Sequence, residues 1–121
     1  MFLKAIDHVQ VAALPMCESE ARRFYGEILG LKELEKPEAL RKKGGCWFEL
    51  ASGQQLHVGV EFPFRPGLKA HPAFVVEHFD EFRQRLLSHA ITVVDDGENP
   101  GVRRFFTHDP FGNRLEFLER V

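Results

Sequence analysis

The feature that most constrains the fold is a repeat of one pattern of elements in the two halves of the 121-residue chain. Each half begins with a short apolar run that carries a histidine, His8 in the first half and His71 in the second. Each half ends with a glycine turn and a run that contains His57 in one case and Glu116 in the other, 59 positions later. Because few residues are identical between the halves, the repeat is one of architecture, which is typical of a protein built from two similar units.

The apolar spacing predicts a strand, a helix and three strands in each half. In the first half we expect strands at residues 4–12, 32–36, 46–50 and 55–61, and a helix from Glu18 to Leu29 that Gly30 ends. In the second half we expect strands at 71–76, 91–94, 102–107 and 114–118, and a helix from Asp80, as N-cap, to about His89.

One helix can cover only one face of a small sheet, so the other face of each unit must meet a second unit. The sequence therefore predicts an α+β fold of two tandem βαβββ modules, which form a cup-shaped mixed sheet with the helices on the outside. We expect a single domain, with one module at about 4–62 and the other at about 70–121. The stretch Pro63–Gly67 has the proline and glycine content of a linker between them.

Composition narrows the range of partners and compartments. The net charge of −2 gives no reason to expect nucleic acid or an anionic membrane as partner. No apolar run approaches the roughly 18 residues of a membrane span, and the N-terminus does not resemble a signal peptide. Cys17 and Cys46 form no CxxC pair, so we expect free thiols and a cytoplasmic location.

Histidines and a carboxylate fall on the polar faces of the predicted strands. Alternation places His8 and Gln10 on one face of the first strand, and it places His57 and Glu116 on the polar faces of theirs. Imidazole and carboxylate groups suit Zn, Ni, Fe, Co or Mn. We therefore predict a divalent metal site with His8, His71 and Glu116 as ligands, and His57 either as a fourth ligand or as a residue that faces the substrate.

Four further residues are candidates for substrate binding. Trp47 and Phe106 are 59 positions apart, like His57 and Glu116, and either line the cup or pack in the core. Arg104 is a candidate for an anionic substrate, although exposed strand arginines are common. Gln10 shares the face of His8.

Two segments resemble a known family. Residues 24–31, FYGEILGL, are similar to the FYxxxLG segment that follows the first strand of vicinal oxygen chelate proteins. Residues 109–116, DPFGNRLE, resemble the DPxGxxxE signature of that superfamily, whose glutamate is a metal ligand. The superfamily includes glyoxalase I, extradiol dioxygenases, fosfomycin-resistance transferases, methylmalonyl-CoA epimerase and bleomycin-binding proteins. The resemblance implies that His8, His71 and Glu116 are ligands, whereas His57 stands where glyoxalase I has a glutamate and the epimerase a glutamine.

The resemblance implies a metal-dependent enzyme for a small substrate that chelates the metal through adjacent oxygens. The reaction would be lyase or isomerase chemistry of the glyoxalase type, or oxygen-dependent cleavage, with Glu116, His57 or metal-bound water as the base. The alternative is a metal-free protein that binds an aromatic or antibiotic ligand, as bleomycin-resistance proteins do. A homodimer that draws the two modules of one site from different chains is a further implication of the resemblance.

Overall fold

The computed structural model describes all of residues 1–121 and divides them into two compact units, Met1–Arg65 and Pro66–Val121. The division falls within the linker stretch Pro63–Gly67. Both units have the predicted order of strand, helix and three strands, with one additional short helix in the first unit. None of the helices is long and apolar enough to cross a membrane.

The first unit contains one mixed sheet of four strands. Its elements are β1 (His8–Ala13), α1 (Glu18–Ala21), β2 (Lys32–Leu34), α2 (Glu38–Arg41), β3 (Cys46–Glu49) and β4 (Gln55–Val60). The strand order is β1-β4-β3-β2, in which β1 is parallel to β4 and the other neighbours are antiparallel. The outer strand β1 therefore lies directly beside β4, and residues from the two ends of this unit become neighbours.

The predicted first helix is a short α-helix that continues as a π-helix over Arg22–Ile28. The amide of Leu29 donates to the carbonyl of Phe24, five residues earlier, at 2.9 Å. Apolar residues at steps of three and four still share one face in this geometry, and the ring of Tyr25 packs 5.7 Å from that of Phe48 in β3. Gly30 follows with φ +78°, a left-handed conformation that glycine adopts without strain and that fits the predicted helix end.

The second unit repeats this plan with an aromatic core. Its elements are β5 (Ala73–Val75), α3 (Phe79–Ser88), β6 (Val94–Asp96), β7 (Val102–His108) and β8 (Arg114–Arg120), and the sheet order is β5-β8-β7-β6. Phe117 of β8 lies 5.5 Å from the rings of Phe74 and Phe105 and 5.0 Å from that of Phe82 in α3. These phenylalanines hold the helix against one face of the sheet and leave the other face to Glu116.

The turn before β8 is fixed by its own side chain. Asp109 accepts hydrogen bonds from the amides of Phe111 and Asn113, each at 2.9 Å. Gly112 has φ +92°, so the DPFGN segment forms the predicted turn and sets the register in which β8 leaves it.

Several predicted boundaries are wrong. The first strand begins at His8 rather than at residue 4, and β5 begins at Ala73, which leaves His71 ahead of the strand. The expected strand at 91–94 lies later, at Val94–Asp96, because its pairing with β7 places Asp96 opposite Arg104. Helix α2 was not predicted, and the predicted strands at 32–36, 46–50 and 55–61 are each one or two residues shorter.

The predicted N-cap of the second helix is also wrong. The helix starts at Phe79 with His78 as its N-cap residue, at φ 54°, and no side chain caps it. Asp80 lies inside the first turn, and its carboxylate accepts two hydrogen bonds from Arg103, each at 3.1 Å. The acidic side chain thus bonds to the neighbouring sheet instead of to its own helix.

Candidate functional site

His57 lies in the middle of a stack of three rings in the first unit. In the strand register it is opposite Trp47 on one side and Gln10 on the other. The centroid of the His57 ring is 4.2 Å from the Trp47 ring, at an interplanar angle of 7°, and 4.2 Å from the His8 ring, at 13°. Only 5 % of the surface of His57 is exposed, because an aromatic ring covers each face.

The surroundings of His57 favour its neutral form. Burial lowers the pKa of its imidazole, and the charge of His8 beside it lowers that pKa further. Nε2 lies 2.8 Å from the amide oxygen of Gln55, which can only accept a hydrogen bond. This contact favours the tautomer with the ring proton on Nε2, in which Nδ1 keeps the lone pair that a metal ligand or a proton acceptor needs.

His8 is held by the residue before it. Nδ1 of His8 donates to the carboxylate of Asp7 at 2.8 Å, and in the neutral form of the ring Nε2 keeps its lone pair. A carboxylate behind a histidine orients the ring and raises its basicity toward a metal. Unlike His57, His8 is exposed.

The side chain of Gln10 lies across the neighbouring strand. A methyl group added at Gly59 would lie 2.5 Å from Nε2 of Gln10, so glycine at this point of β4 leaves room for the amide. Gln10 is exposed on the face that carries His57, where the amide can donate and accept hydrogen bonds.

Glu116 and His71 form a pair in the second unit. Glu116 lies in β8 between Phe106 of β7 and Ala73 of β5, and only 5 % of its surface is exposed. Nε2 of His71 is 2.9 Å from a carboxylate oxygen of Glu116, while Nδ1 donates to the carbonyl of Lys69 at 2.8 Å. Because the carbonyl accepts only, Nδ1 is the donor to Lys69, and Nε2 faces the Glu116 oxygen at a point where a cation could contact both side chains.

Two arginines surround the ring of Phe106 beside this pair. The guanidinium carbon of Arg114 is 3.9 Å from the Phe106 centroid, and that of Arg104 is 5.1 Å from it. One terminal nitrogen of Arg104 lies 3.5 Å from each oxygen of Glu116. The other terminal nitrogen of Arg104 lies 3.4 Å from a carboxylate oxygen of Asp96. His71 meets the edge of the same aromatic ring at 5.2 Å.

The strand registers make the two sets of residues equivalent. His57 lies opposite Trp47, and Glu116 lies opposite Phe106, both pairs with a 59-residue offset. Gln10 lies opposite His57, and Ala73 takes the same place opposite Glu116. His8 precedes Gln10 by two residues, as His71 precedes Ala73.

No group of three or more His, Cys, Asp or Glu side chains in the structure is placed to hold a metal ion. The candidate donors occur as two pairs, His8 with His57 in one unit and His71 with Glu116 in the other. Each pair supplies two donors, fewer than the three or four protein ligands of a zinc site. The donor chemistry does fit a divalent ion, because His57 is neutral, Asp7 orients His8, and Glu116 is a buried carboxylate.

Four functional neighbours were missed from the sequence. Alternation places Gln55 on the face of His57 and Arg114 on that of Glu116, but nothing in the sequence shows that they touch His57 and Phe106. Asp7 lies within the predicted strand at residues 4–12, where alternation would place it on the face opposite His8, but the strand starts only at His8. Asp96 could be found only from the pairing of β6 with β7.

Comparison with known proteins identifies the family. The sequence model of the Glyoxalase/Bleomycin resistance protein/Dioxygenase superfamily matches residues 5–117. No curated protein matches this chain closely enough to be counted as a relative.

Solved structures agree with this match. A protein assigned to the glyoxalase family from Bacillus anthracis is 53 % identical, with a TM-score of 0.97, over 100 % of this chain and 98 % of its own. Lactoylglutathione lyase from Agrobacterium tumefaciens is 21 % identical, with a TM-score of 0.75, over 98 % of this chain and 96 % of its own. TnmS3, an antibiotic-binding protein from Streptomyces sp. CB03234, is 20 % identical, with a TM-score of 0.77, over 100 % and 99 %. At these lower identities the last two show a shared fold alone.

Proposed function

We propose, since the chain belongs to the Glyoxalase/Bleomycin resistance protein/Dioxygenase superfamily, that it is a metal-dependent enzyme for a small substrate with two adjacent oxygens. The observation that carries this proposal is the contact of the half-buried His71 with the buried Glu116, whose facing atoms are 2.9 Å apart. A buried carboxylate beside an imidazole nitrogen offers two donor types that a divalent transition metal binds.

The proposed ligands are His8, His71 and Glu116, with His57 as a fourth ligand or as a base. The ion would be Zn, Ni, Fe, Co or Mn. When bound with an open coordination position, such an ion acts as a Lewis acid and orients the two oxygens of a substrate.

The chain itself would supply proton transfer and substrate contacts. His57 is neutral, so its Nδ1 can accept a proton from a carbon next to a carbonyl group. Glu116 is the alternative base, because its carboxylate oxygens can accept a proton at the same site. Trp47 and Phe106 offer apolar surface next to these groups, and Arg104 and Gln10 offer polar contacts. This set supports lyase or isomerase chemistry, or oxygen-dependent cleavage.

The proposal includes the assembly and the compartment. We place the protein in the cytoplasm, where the buried thiols of Cys17 and Cys46 stay reduced. We also propose a homodimer that draws the two modules of one site from different chains, as the family membership suggests.

The fluorescence of Trp47, the only tryptophan, tests metal binding directly. Co²⁺ or Ni²⁺ bound near His57 should quench the stacked indole, and titration should give an affinity. The Glu116→Gln variant should weaken that affinity by at least about tenfold, since loss of even an outer-shell partner has an effect of this size. The matched control is Glu119→Gln, in the same strand and on the opposite face, which should bind metal like the wild type.

Turnover is then measured with the metal-loaded protein. Lactoylglutathione, the compound in the name of the Agrobacterium tumefaciens lyase, tests lyase chemistry, and oxygen uptake with a catechol tests cleavage. Equal metal affinity in wild type and Glu116→Gln would contradict the proposed site.

A second candidate function is metal-free binding of a flat aromatic ligand. The stacked rings of Trp47, His57 and His8 favour it, as does the shared fold with an antibiotic-binding protein. A protein of this kind would bind an aromatic ligand equally well after metal removal, and the Glu116→Gln variant would bind it unchanged.

A further inference from the structure

Arg104 has an unusual set of contacts for a largely buried arginine. Its three contacts with carboxylate oxygens of Glu116 and Asp96 measure 3.4–3.5 Å, longer than the roughly 2.7–2.9 Å of a well-formed charged hydrogen bond. Its Nε is buried and has no hydrogen-bond partner in the chain. The guanidinium is thus held near two carboxylates without forming the paired, in-plane bonds that arginine makes with a carboxylate.

The neighbouring arginines show the difference. Arg103, the next residue in β7, donates to both oxygens of Asp80 at 3.1 Å on the opposite face. Arg83 donates through Nε and a terminal nitrogen to Asp95, at 3.0 and 2.5 Å. Both have a complete partner, so only Arg104 of the three retains unused hydrogen-bonding capacity.

The partner of Arg104 is also the proposed metal ligand. A divalent ion bound by Glu116 would compete with Arg104 for the Glu116 carboxylate. With Arg104 and Arg114 nearby, positive charges would then outnumber the negative charges of Glu116 and Asp96. The ring of Phe106 keeps the guanidinium in place and partly dry, which strengthens its attraction for an anion.

We propose that Arg104 is a specificity-determining residue that binds a carboxylate of the substrate once a metal has taken Glu116. The inference rests on the proposed function and deepens it: the substrate is an oxygenated organic acid with a carboxylate besides its two adjacent oxygens. Without metal, the carboxylates of Glu116 and Asp96 face the guanidinium of Arg104. Arg104 therefore becomes available to a substrate carboxylate only when a metal ion binds Glu116.

Hydroxamates test this directly, because they chelate metals through two adjacent oxygens. We compare malonic and succinic monohydroxamates with the uncharged propano- and butanohydroxamates on the Co²⁺-loaded protein, by calorimetry. The wild type should prefer the better carboxylate probe by about tenfold, as expected for one new charge-assisted hydrogen-bonded pair.

Substitution of Arg104 should remove that preference. Arg104→Gln should bind both kinds of probe equally and should hold Co²⁺ at least as tightly as the wild type, because a competing cation has left Glu116. Arg104→Lys should keep part of the preference, and Arg103→Gln should keep all of it. A preference that survives in Arg104→Gln would overturn the inference, as would an equal loss of affinity for the metal and for both probes.

A metal-free arm separates this inference from the proposed function. Glu116→Gln removes the competing charge without any ion, so this variant should gain affinity for succinate by roughly threefold to tenfold over the wild type. The double variant Glu116→Gln/Arg104→Gln should lose that gain. The Nε–H signal of Arg104 in ¹⁵N NMR spectra should shift on succinate addition in the single variant. No gain in the single variant would overturn the role of Arg104 even if the metal site is established, and a gain would support it even if no metal binds.

Discussion

Protonation of His57 should be visible in the fluorescence of Trp47. The two rings are stacked at 4.2 Å, and an imidazolium quenches a neighbouring indole more strongly than a neutral imidazole does. Burial and the charge of His8 lower the pKa of His57 below its usual value of 6.5. A titration of the metal-free protein from pH 8 to pH 5 should therefore show quenching with a midpoint below 6.5.

The same shift has a consequence for stability. Because the pKa of His57 is lower in the folded than in the unfolded protein, the unfolded chain takes up the proton first as the pH falls. The contribution of neutral His57 to stability is therefore complete above pH 6.5 and is lost as the pH falls through the folded-state pKa. Urea denaturation at pH 7.5 and pH 5.5 should show the lower stability at pH 5.5.

Two variants assign these effects to the ring stack. His57→Gln removes both ring contacts, each worth about 0.5–1.5 kcal/mol, so it should lower the free energy of unfolding by about 1–3 kcal/mol at pH 7.5 and abolish the quenching transition. His8→Gln removes a nearby charge and a covering ring, so it should move the midpoint up toward 6.5. A midpoint at or above 6.5 in the wild type, or a transition that persists in His57→Gln, would refute this reasoning.

Three further predictions concern the scaffold. Gly45→Ala should destabilise the protein by about 3 kcal/mol or more in urea denaturation, because the new Cβ would lie 2.0 Å from a backbone oxygen of β4. The control Gly53→Ala, also at positive φ but in open space, should lower the free energy of unfolding by only about 1 kcal/mol. Equal losses in the two variants would show that φ alone matters. The thiols of Cys17 and Cys46, whose pKa burial raises to about 11, should react with iodoacetamide at pH 8 far more slowly in the folded than in the unfolded chain; equal rates would contradict this. Asp109→Ala removes three hydrogen bonds that its carboxylate accepts in the turn before β8, and should lower the free energy of unfolding by about 2–4 kcal/mol, whereas a loss below about 0.5 kcal/mol would rule out that role.

Much of the fold followed from side-chain periodicity. The alternation around His8 and around Glu116 predicted their strands, because one face of each sheet is apolar and packs on a helix. The π-helix over Arg22–Ile28 could not be predicted, since apolar steps of three and four suit either kind of helix. Strand β6 was misplaced because it lies at the sheet edge, where Val94 is exposed and no apolar alternation marks the strand.

The candidate site was predicted in part. Residue type and repeat position were sufficient to select His8, His57, His71 and Glu116 as candidates, and the offset of His57 from Glu116 equals that of Trp47 from Phe106 because the strand registers are equal. Contacts that depend on side-chain direction were not accessible in this way. The burial of His57 between two rings and the loose position of Arg104 beside Glu116 follow only from the pairing of adjacent strands.

Elemental analysis of the protein purified without an affinity tag tests the central claim most directly. We expect about one transition-metal ion per assembled site, with Zn, Ni, Fe, Co or Mn as the ion. His8→Ala and Glu116→Ala, prepared in the same way and shown to be folded, should both lose it. A native protein that holds no metal, even after reconstitution with each of these ions, would contradict the metal-dependent account and leave the aromatic-ligand-binding function as the better explanation of the stacked rings.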